Sequence, residues 1–411
     1  MKQKSNLPID FKLFFTVVAL VIFGMIMISS VSVYSSFKLT SVQALRWLIE
    51  EPYNFFYVKR NIMHVISGFI LLAIVVKIPF RFFEKAAPFF LWITTLLLWY
   101  VHFLWATYKW AKWWIDVPFL PFNIQPTELL KFSLIIFLAY FFKKNYKKLK
   151  SFKGWFLPFM WILWLYVAIV WLQPDFWTVL VIAPVSVIMF FLAWANVRYL
   201  SVLAIVWALW AVWIYSLWIY DKDAWEERPK LAYITERIDY FLEDEKELFN
   251  PQAKNNDKTY QIKQALTTIW SGWSTGLWFG KSIQKFGYLP EVQWDFIFSV
   301  IVEELWFMGA FILLSMYMYI AYRWYYIYSK VQDLFAKFTA AWISTWFILQ
   351  SFINIWVNLN LVPLTWITLP FISYWGSSLL TLMLALWLLL NISRHRHQKP
   401  KFKRLWRRNL I

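Results

Sequence analysis

Long apolar runs separated by short polar stretches make up most of the chain. A helix that crosses the hydrocarbon core of a bilayer needs about 20 mainly apolar residues. Ten stretches have that length and character: 12–33, 61–78, 88–106, 126–142, 155–173, 176–195, 198–220, 296–321, 336–358 and 367–392. The first run is longer than the apolar core of a signal peptide. The pattern therefore predicts an all-α, polytopic membrane protein of about ten transmembrane helices.

The positions of the basic residues predict the orientation of these helices, because Lys and Arg collect in cytoplasmic loops. They cluster before the first predicted span, between the second and third, between the fourth and fifth, and after the last. An even number of crossings puts all four clusters on one face. We therefore expect a protein of the cytoplasmic (inner) membrane with both termini in the cytoplasm.

The same reasoning predicts how the chain is organised. We expect one integral membrane domain over 1–411, in which 221–295 is a large extracytoplasmic loop between spans seven and eight. The segment 393–411 is expected to be a basic cytoplasmic tail. A loop of that length in a compact protein is either functional or disordered.

Composition narrows the function classes. Only 16% of the residues are charged and 61% are hydrophobic, whereas soluble domains carry about 25% charged residues. The net charge of +18 lies at the ends of segments, which indicates contact with anionic lipid and not a nucleic-acid surface. The chain has no cysteine and four histidines, so a disulfide scaffold is excluded and a zinc or haem enzyme is disfavoured.

Charged groups at membrane depth are expensive and usually functional. At the start of span four, Glu128 and Lys131 are spaced to form an i,i+3 pair. A helix cap with a local ion pair explains these residues as well as a substrate contact does. Between spans five and six, Asp175 follows Gln173-Pro174. A short turn with Pro and Asp indicates first a capped helical hairpin.

Two further positions could carry chemistry. Asp295 lies where the predicted loop enters span eight, and Glu303 and Glu304 lie two turns deeper. A carboxylate beside an acidic pair can act as a base toward a hydroxyl or hold a cation, and the alternative is an N-cap. At the head of span ten, Ser377 and Ser378 suit approach to an anionic group or tight helix packing.

Taken in this order, the motifs resemble those of the SEDS (shape, elongation, division and sporulation) family, also called the FtsW/RodA family. The matching segments are Trp110-Ala111-Lys112 with Trp114-Ile115, Gln125-Pro126-Thr127-Glu128 with Lys131, Gln173-Pro174-Asp175 with Thr178, Leu289-Pro290-Glu291, Asp295-Phe296-Ile297-Phe298, Glu303-Glu304-Leu305, Asn354-Ile355, and Leu369-Pro370-Phe371-Ile372-Ser373-Tyr374 with Gly376-Ser377-Ser378. The resemblance covers nearly the whole chain.

The resemblance implies a peptidoglycan glycosyltransferase. Such an enzyme polymerises lipid II, an undecaprenyl-pyrophosphate-linked disaccharide-pentapeptide, together with a class B penicillin-binding protein and other divisome or elongasome proteins. Asp295 matches the family's essential loop aspartate and is the implied catalytic residue. The implied substrate-binding residues are Lys112, Glu128, Lys131, Asp175, Glu291, Glu303, Ser377 and Ser378.

The residues and motifs leave alternatives for the cation, for the branch of the family and for the activity. A divalent cation, Mg²⁺ or Mn²⁺, could offset the pyrophosphate charge, as could Lys112 and Lys131; no other cofactor is implied. Residues 282–291 are nearer the division-type branch, but no motif decides between division and elongation.

The strongest rival function is a flippase or transporter of the lipid-linked precursor, since intramembrane acids and proline-broken helices suit one. A structural scaffold ranks last.

Tryptophan is unusually frequent and glycine unusually rare. The chain has 31 Trp and 9 Gly, although glycine normally makes up about 7% of residues. Trp177, Trp306, Trp356 and Trp375 stand where the family motifs have glycine, which is used for positive φ or close backbone approach. An aromatic belt is the alternative, but belts lie at membrane interfaces. Our hypothesis is that UGA codons read as glycine by the organism have been translated as tryptophan.

Overall fold

The computed structural model describes residues 8–104, 114–116, 123–148, 153, 156–173, 175–192, 201, 205, 209, 241, 257–272 and 275–395. The helices within these residues are α1 (Phe11–Val31), α2 (Val33–Leu45), α3 (Phe56–Val75), α4 (Phe80–Leu104), α5 (Pro126–Lys144), α6 (Leu157–Leu172), α7 (Phe176–Leu192), α8 (Asp257–Ser271), α9 (Ile297–Lys330), α10 (Leu334–Asn358) and α11 (Gly376–Ser393). A short 3₁₀ turn follows α5 at Tyr146–Lys148. The two strands, β1 (Ile115–Asp116) and β2 (Asn123–Ile124), form an antiparallel ladder in which Ile115 pairs with Ile124.

The helices confirm the all-α, polytopic prediction. Within the described residues, α1, α3, α4, α9, α10 and α11 are long and apolar enough to cross a membrane, and α6 and α7 are shorter apolar helices. Together with α5, they account for nine of the ten predicted spans. The other predicted span, 198–220, lies outside the described residues except at three positions, as does the acidic stretch 221–256 except at 241.

Two features differ from the prediction. Helix α2 follows α1 almost at once and was not predicted. Helix α11 begins at Gly376, so that 367–375 form an irregular loop instead of the first turns of a span. The cause is local: the residue before Pro370 is disfavoured in a helix, and the Ser373 hydroxyl accepts the Leu369 N–H at 2.9 Å. Apolarity alone cannot distinguish such a loop from a helix.

Helices α10 and α11 form the centre of the bundle. α10 packs against α5, α7 and α9, and α11 packs against α3. Most of the apolar stretch of α10 and nearly all of that of α11 is buried, whereas α3 and α4 leave most of theirs exposed. A helix that is apolar on all sides is a buried one, and the exposed apolar faces of α3 and α4 suit contact with lipid. Polar residues on α10 are therefore enclosed by protein.

The end of the bundle near the chain termini is held by polar bonds. Asp10 accepts a hydrogen bond from Arg323 on α9, and its own N–H donates to the Ser393 hydroxyl at 3.0 Å. On α11, Asn391 accepts the Phe80 N–H at 3.2 Å and donates to the Ile78 carbonyl at 3.0 Å. These contacts join α1, α4, α9 and α11 at the opposite end from the site described next.

Three tryptophans have backbone conformations that favour glycine. Six non-glycine residues among those described have positive φ: Trp47, Trp278, Glu291, Trp306, Asn360 and Phe371. Trp306 combines φ 57° with ψ −167° and interrupts α9. That region of φ/ψ space is essentially restricted to glycine. Glycine at Trp47, Trp278 and Trp306 would explain these angles. The hypothesis that UGA codons read as glycine were translated as tryptophan stays a prediction.

Candidate active site

Asp295 lies in a tight turn directly before α9. Glu291, which has φ 53°, begins the turn, and its carbonyl accepts the N–H groups of Trp294 at 3.0 Å and Asp295 at 3.1 Å. Asp295 is 4% exposed, whereas Glu291 is exposed to solvent. The turn therefore places two acidic residues at the entrance of α9, one buried and one open.

Two asparagines of α10 hold this turn from behind. The Nδ2 atoms of Asn354 and Asn358 each donate to the Asp295 carbonyl oxygen at 3.0 Å. Asn354 also donates to the Ile367 carbonyl at 2.8 Å. A carbonyl oxygen has two lone pairs, and here both are used by side chains of one neighbouring helix.

The N-cap alternative for Asp295 is wrong. The N-cap residue of α9 is Phe296, which has no side-chain cap bond. The first-turn N–H of Ser299 is accepted by Oδ1 of Asn358 at 3.1 Å, and the Ser299 hydroxyl donates to the same atom at 2.7 Å. The Ser299 N–H is thus shared between the Phe296 carbonyl at 3.1 Å and the α10 side chain, and Asp295 does not serve as the cap.

A second loop packs on the Asp295 turn. The Gln293 carbonyl accepts the Tyr374 N–H at 3.0 Å, and the Tyr374 ring meets the Tyr57 ring edge-on at 5.0 Å. Burial raises the pKa of Tyr374 to about 12, so its hydroxyl stays protonated at neutral pH. Ser377 and Ser378 follow Tyr374 at the start of α11 and are buried. The start of α11 is thereby brought beside the loop that carries Asp295.

Glu304 forms a buried ion pair with a residue that the sequence reasoning missed. Lys285 Nζ lies 2.9 Å from Glu304 Oε1 and donates to the Gly280 carbonyl at 2.6 Å and the Ser30 hydroxyl at 2.9 Å. Ser30 in turn donates to Glu304 Oε1 at 2.6 Å. The Lys285 and Glu304 side chains are 2% and 0% exposed. The pair joins α1, α9 and the α8–α9 loop (residues 272–296) at one point.

Glu303 anchors the same loop. It is fully buried and accepts hydrogen bonds from the Ser282 hydroxyl, from the Ser271 hydroxyl at 3.1 Å and from the Ile283 N–H at 3.3 Å. The structure places this predicted substrate-binding residue inside the loop's own hydrogen-bond network. Its direct effect is to fix the position of the loop.

A second polar group lies at the starts of α5 and α7. Lys131 and Glu128 form the predicted pair at 2.7 Å, with side chains 5% and 10% exposed. Asp175 accepts the Thr178 N–H at 3.1 Å and the Thr178 hydroxyl at 2.8 Å, which confirms its reading as a helix cap. Gln125 reaches Asp175 Oδ2 at 3.4 Å. The predicted residue Lys112 lies outside the described residues.

Side chains of α10 connect the two groups. Trp346, Gln350, Asn354 and Asn358 recur every four residues along this helix, and we call them the α10 polar stripe. Lys131 Nζ lies 5.5 Å from the Trp346 ring centre, and Trp346 Nε1 donates to Gln350 at 2.7 Å. Gln350 donates to the Thr368 hydroxyl, which is 3.1 Å from that of Ser378. Amides repeating at i,i+4 on an apolar helix were the available signal for Gln350 and Asn358.

The described residues contain no group of three or more His, Asp or Glu side chains that could bind a metal ion. Mg²⁺ is usually held by one or two carboxylates together with substrate phosphates. The protein groups described here do not form a metal cage by themselves.

These features define a polytopic helical membrane protein that keeps acidic, basic and amide side chains buried beneath a loop at one end of its bundle. The family model described as "Cell cycle protein", that of the FtsW/RodA/SpoVE proteins, matches residues 11–398. The chain belongs to this family.

Relatives and solved structures agree with this assignment. The chain is 33% identical to a "Probable peptidoglycan glycosyltransferase FtsW" of Geobacter sp. (strain M18), over 92% of this chain and 94% of the relative. It is 30% identical to "Stage V sporulation protein E" of Bacillus subtilis (strain 168), over 96% and 99%.

Two solved structures share the fold. One is titled "Structural coordination of polymerization and crosslinking by a peptidoglycan synthase complex" (TM-score 0.72, 22% identity, 96% of this chain and 100% of that chain covered). The other is the rod shape determining protein RodA of Thermus thermophilus (TM-score 0.65, 23% identity, 96% and 100% covered).

Proposed function

We infer that this chain is a peptidoglycan glycosyltransferase, and we propose that it polymerises lipid II into glycan strands. Family membership and the names of relatives over nearly their whole length support the activity. The positions of the basic residues support cytoplasmic termini in the inner membrane, which would place the Asp295 turn at the outer face. That face is where a lipid-linked sugar with its tail in the bilayer would meet the site.

Asp295 is the proposed general base. Its carboxylate takes the proton of the acceptor sugar hydroxyl while that oxygen forms a bond to the anomeric carbon of the donor. The bond from the anomeric carbon to the pyrophosphate oxygen breaks, and undecaprenyl pyrophosphate leaves with the bonding electron pair. The observation that carries this role is the turn itself, in which the amides of Asn354 and Asn358 fix the Asp295 carbonyl at 3.0 Å each.

The other predicted residues have supporting roles in this proposal. Lys131 would face the negative charge of the pyrophosphate, with Lys112 as a second candidate, and Glu128 holds Lys131 at 2.7 Å. Asp175 would orient the start of α7 beside this pair. The described side chains offer no cage for a divalent ion, so an Mg²⁺ or Mn²⁺ ion used by the reaction would be bound mainly by pyrophosphate oxygens.

Glu291, Ser377 and Ser378 are proposed to contact the sugars or the pyrophosphate near the Asp295 turn, and Glu303 to hold the loop in place. A class B penicillin-binding protein is the proposed partner, because the fold matches a chain from a complex whose title joins polymerisation with crosslinking. Other divisome or elongasome membrane proteins would associate with that pair. No nucleic acid is involved.

The test is polymerisation by the purified protein supplied with lipid II. The wild-type chain should produce glycan polymer and Asp295→Asn should produce none. The thermal unfolding midpoint of Asp295→Asn should equal that of the wild type. Asp333→Asn is a matched control at the opposite end, because it makes the same change from carboxylate to amide and asparagine can still accept the Ala336 N–H and cap α10. It removes one partly exposed ion pair with Lys143, which keeps Glu84 as a partner. Wild-type polymerisation by Asp295→Asn would overturn the role of the base. Movement of lipid II across liposomes without polymer would favour a flippase instead.

A further inference from the structure

The Asp295 turn is held by an unusual pair of bonds. Two amide nitrogens, on Asn354 and Asn358, converge on the one carbonyl oxygen of Asp295 at 3.0 Å each. All three residues are buried, at 1%, 0% and 4% exposure. These asparagines are one helical turn apart on α10 and so share a face. The backbone of the proposed base is therefore fixed by a rigid neighbouring helix and not only by its own loop.

Asn358 has a second task at the start of α9, where the N-cap residue, Phe296, has no side-chain cap bond. A helix needs an acceptor for its first N–H groups, and Asp is among the preferred caps. Oδ1 of Asn358 accepts both the N–H and the hydroxyl of Ser299. An acidic side chain bound to the start of α9 would be a weaker base toward a substrate hydroxyl. Here the acceptor for Ser299 is the uncharged amide of Asn358.

Asn354 adds a link to the second loop. The Nδ2 atom that bonds to Asp295 also donates to the Ile367 carbonyl at 2.8 Å. Residue 367 opens the stretch that leads through Thr368 and Tyr374 to Ser377 and Ser378. One amide group thus sets the spacing between the turn of the proposed base and the start of α11.

We propose that Asn354 and Asn358 are positioning residues for glycosyl transfer, which fix the backbone of Asp295 and so place its side chain against the acceptor hydroxyl. This proposal rests on the proposed function of Asp295. Misplacement of a reacting group by about 1 Å costs on the order of 100-fold in rate. Removing one of the two amides should therefore reduce turnover far more than substrate binding.

The variants are Asn354→Leu and Asn358→Leu, which keep the number and branching of the side-chain heavy atoms and each leave one amide on the Asp295 carbonyl. The matched control is Asn391→Leu, because Asn391 also bonds two carbonyls and one N–H of a neighbouring segment at the other end of the bundle. Rates are measured on lipid II, with the full chain in liposomes, and thermal unfolding is followed in parallel.

We expect kcat to fall about 10- to 100-fold in Asn354→Leu and Asn358→Leu, with KM within a few fold of wild type. Asn391→Leu should lower the unfolding midpoint to a similar extent while its kcat stays at the wild-type value. Wild-type kcat in both site variants, with Asp295→Asn inactive, would overturn the positioning role alone. An equal loss of kcat in Asn391→Leu would also overturn it. Full activity of Asp295→Asn would instead overturn the proposed function.

A separate observation concerns residue identity at position 306. Trp306 has φ 57° and ψ −167° in the middle of α9, where a side chain with a Cβ is strained. The break frees the Glu303 carbonyl to accept the Leu277 N–H at 2.9 Å. Gly276 packs so closely on the break that a Cβ there would lie 2.9 Å from the Trp306 nitrogen. The break is therefore part of how the α8–α9 loop docks on α9.

The geometry points to glycine at positions 306, 278 and 47 in the protein that the cell makes, encoded by UGA codons that are read as glycine and written as tryptophan in the translated sequence. All three have φ between 57° and 71°. The chain also has 31 Trp and only 9 Gly, which is the imbalance that reading glycine codons as tryptophan would produce. A systematic reassignment explains both observations with one cause.

The coding DNA and the mass of the native peptide containing residue 306 test this second proposal. We expect UGA at the three codons and a peptide mass lower than calculated by the difference between tryptophan and glycine. UGG codons would overturn the proposal, and so would UGA codons together with a peptide mass that matches tryptophan. The outcome does not depend on the activity of the enzyme.

Discussion

Replacing Lys285 by methionine removes the positive charge of a fully enclosed ion pair while keeping a similar side-chain length. In the wild-type chain Lys285 Nζ contacts Glu304, Ser30 and the Gly280 carbonyl within 2.9 Å. The variant leaves the Glu304 carboxylate buried without its cation. It also leaves the Gly280 carbonyl without the ammonium donor.

Removing one partner of a buried ion pair destabilises a protein by about 3–5 kcal/mol. We expect the lower end, about 3 kcal/mol, because Glu304 keeps two other donors: the Ser30 hydroxyl at 2.6 Å and the Ser282 N–H at 3.3 Å. The loss should be concentrated in the α8–α9 loop, since Lys285 belongs to that loop and Glu304 to α9. Polymerisation should fall with it, because the same loop carries Asp295.

The assay is thermal unfolding of the purified chain in nanodiscs, combined with amide hydrogen exchange. Lys285→Met should lower the midpoint by several degrees and raise exchange over 275–295 more than over α10 or α11. The double variant Lys285→Met/Glu304→Gln should recover at least half of the lost stability, since replacing both charges leaves no uncompensated ion. An unchanged midpoint in the single variant, or a double variant less stable than the single one, would refute the reasoning.

Three further predictions concern other parts of the chain. Lys131→Met should lower kcat/KM for lipid II at least 10-fold. The double variant Glu128→Gln/Lys131→Met should regain thermal stability but not activity. Recovery of both would mean that the pair is only structural. Asp175→Ala should destabilise the α7 cap by about 1 kcal/mol, whereas Asp175→Asn should stay near wild type in the same unfolding assay, because asparagine caps as well as aspartate; equal losses would exclude the capping role. Burial lowers the pKa of His395, which packs on Phe80 at 4.9 Å, so the unfolded chain binds more protons in acid. The free energy of unfolding should be at its full value above about pH 6.5 and should fall as the pH drops through the folded pKa. His395→Phe should reduce that fall between about pH 8 and pH 5. The same dependence of unfolding free energy on pH in variant and wild type would contradict this.

The sequence by itself determined the elements whose causes are local. Helices in a bilayer satisfy their backbone groups internally. Nine of the ten predicted spans coincide with helices of the described residues, and the three described positions of the other span, 201, 205 and 209, are helical as well. The Glu128–Lys131 pair and the Asp175 cap were also predictable, because each joins residues three positions apart. Where a local rule competed with apolarity, as at Pro370 before α11, the span boundary was predicted wrongly.

Only the tertiary structure decided which distant groups meet. Asn354 and Asn358 reach the Asp295 carbonyl across 59 and 63 residues of sequence, and Ser30 reaches Glu304 across 274. A pattern of apolar and polar positions reports that a polar side chain will be buried, but it carries no information about the partner that satisfies it. The partner is set by helix packing. Asp295 could therefore be proposed from the sequence, whereas the asparagines that hold it are visible only in the folded bundle.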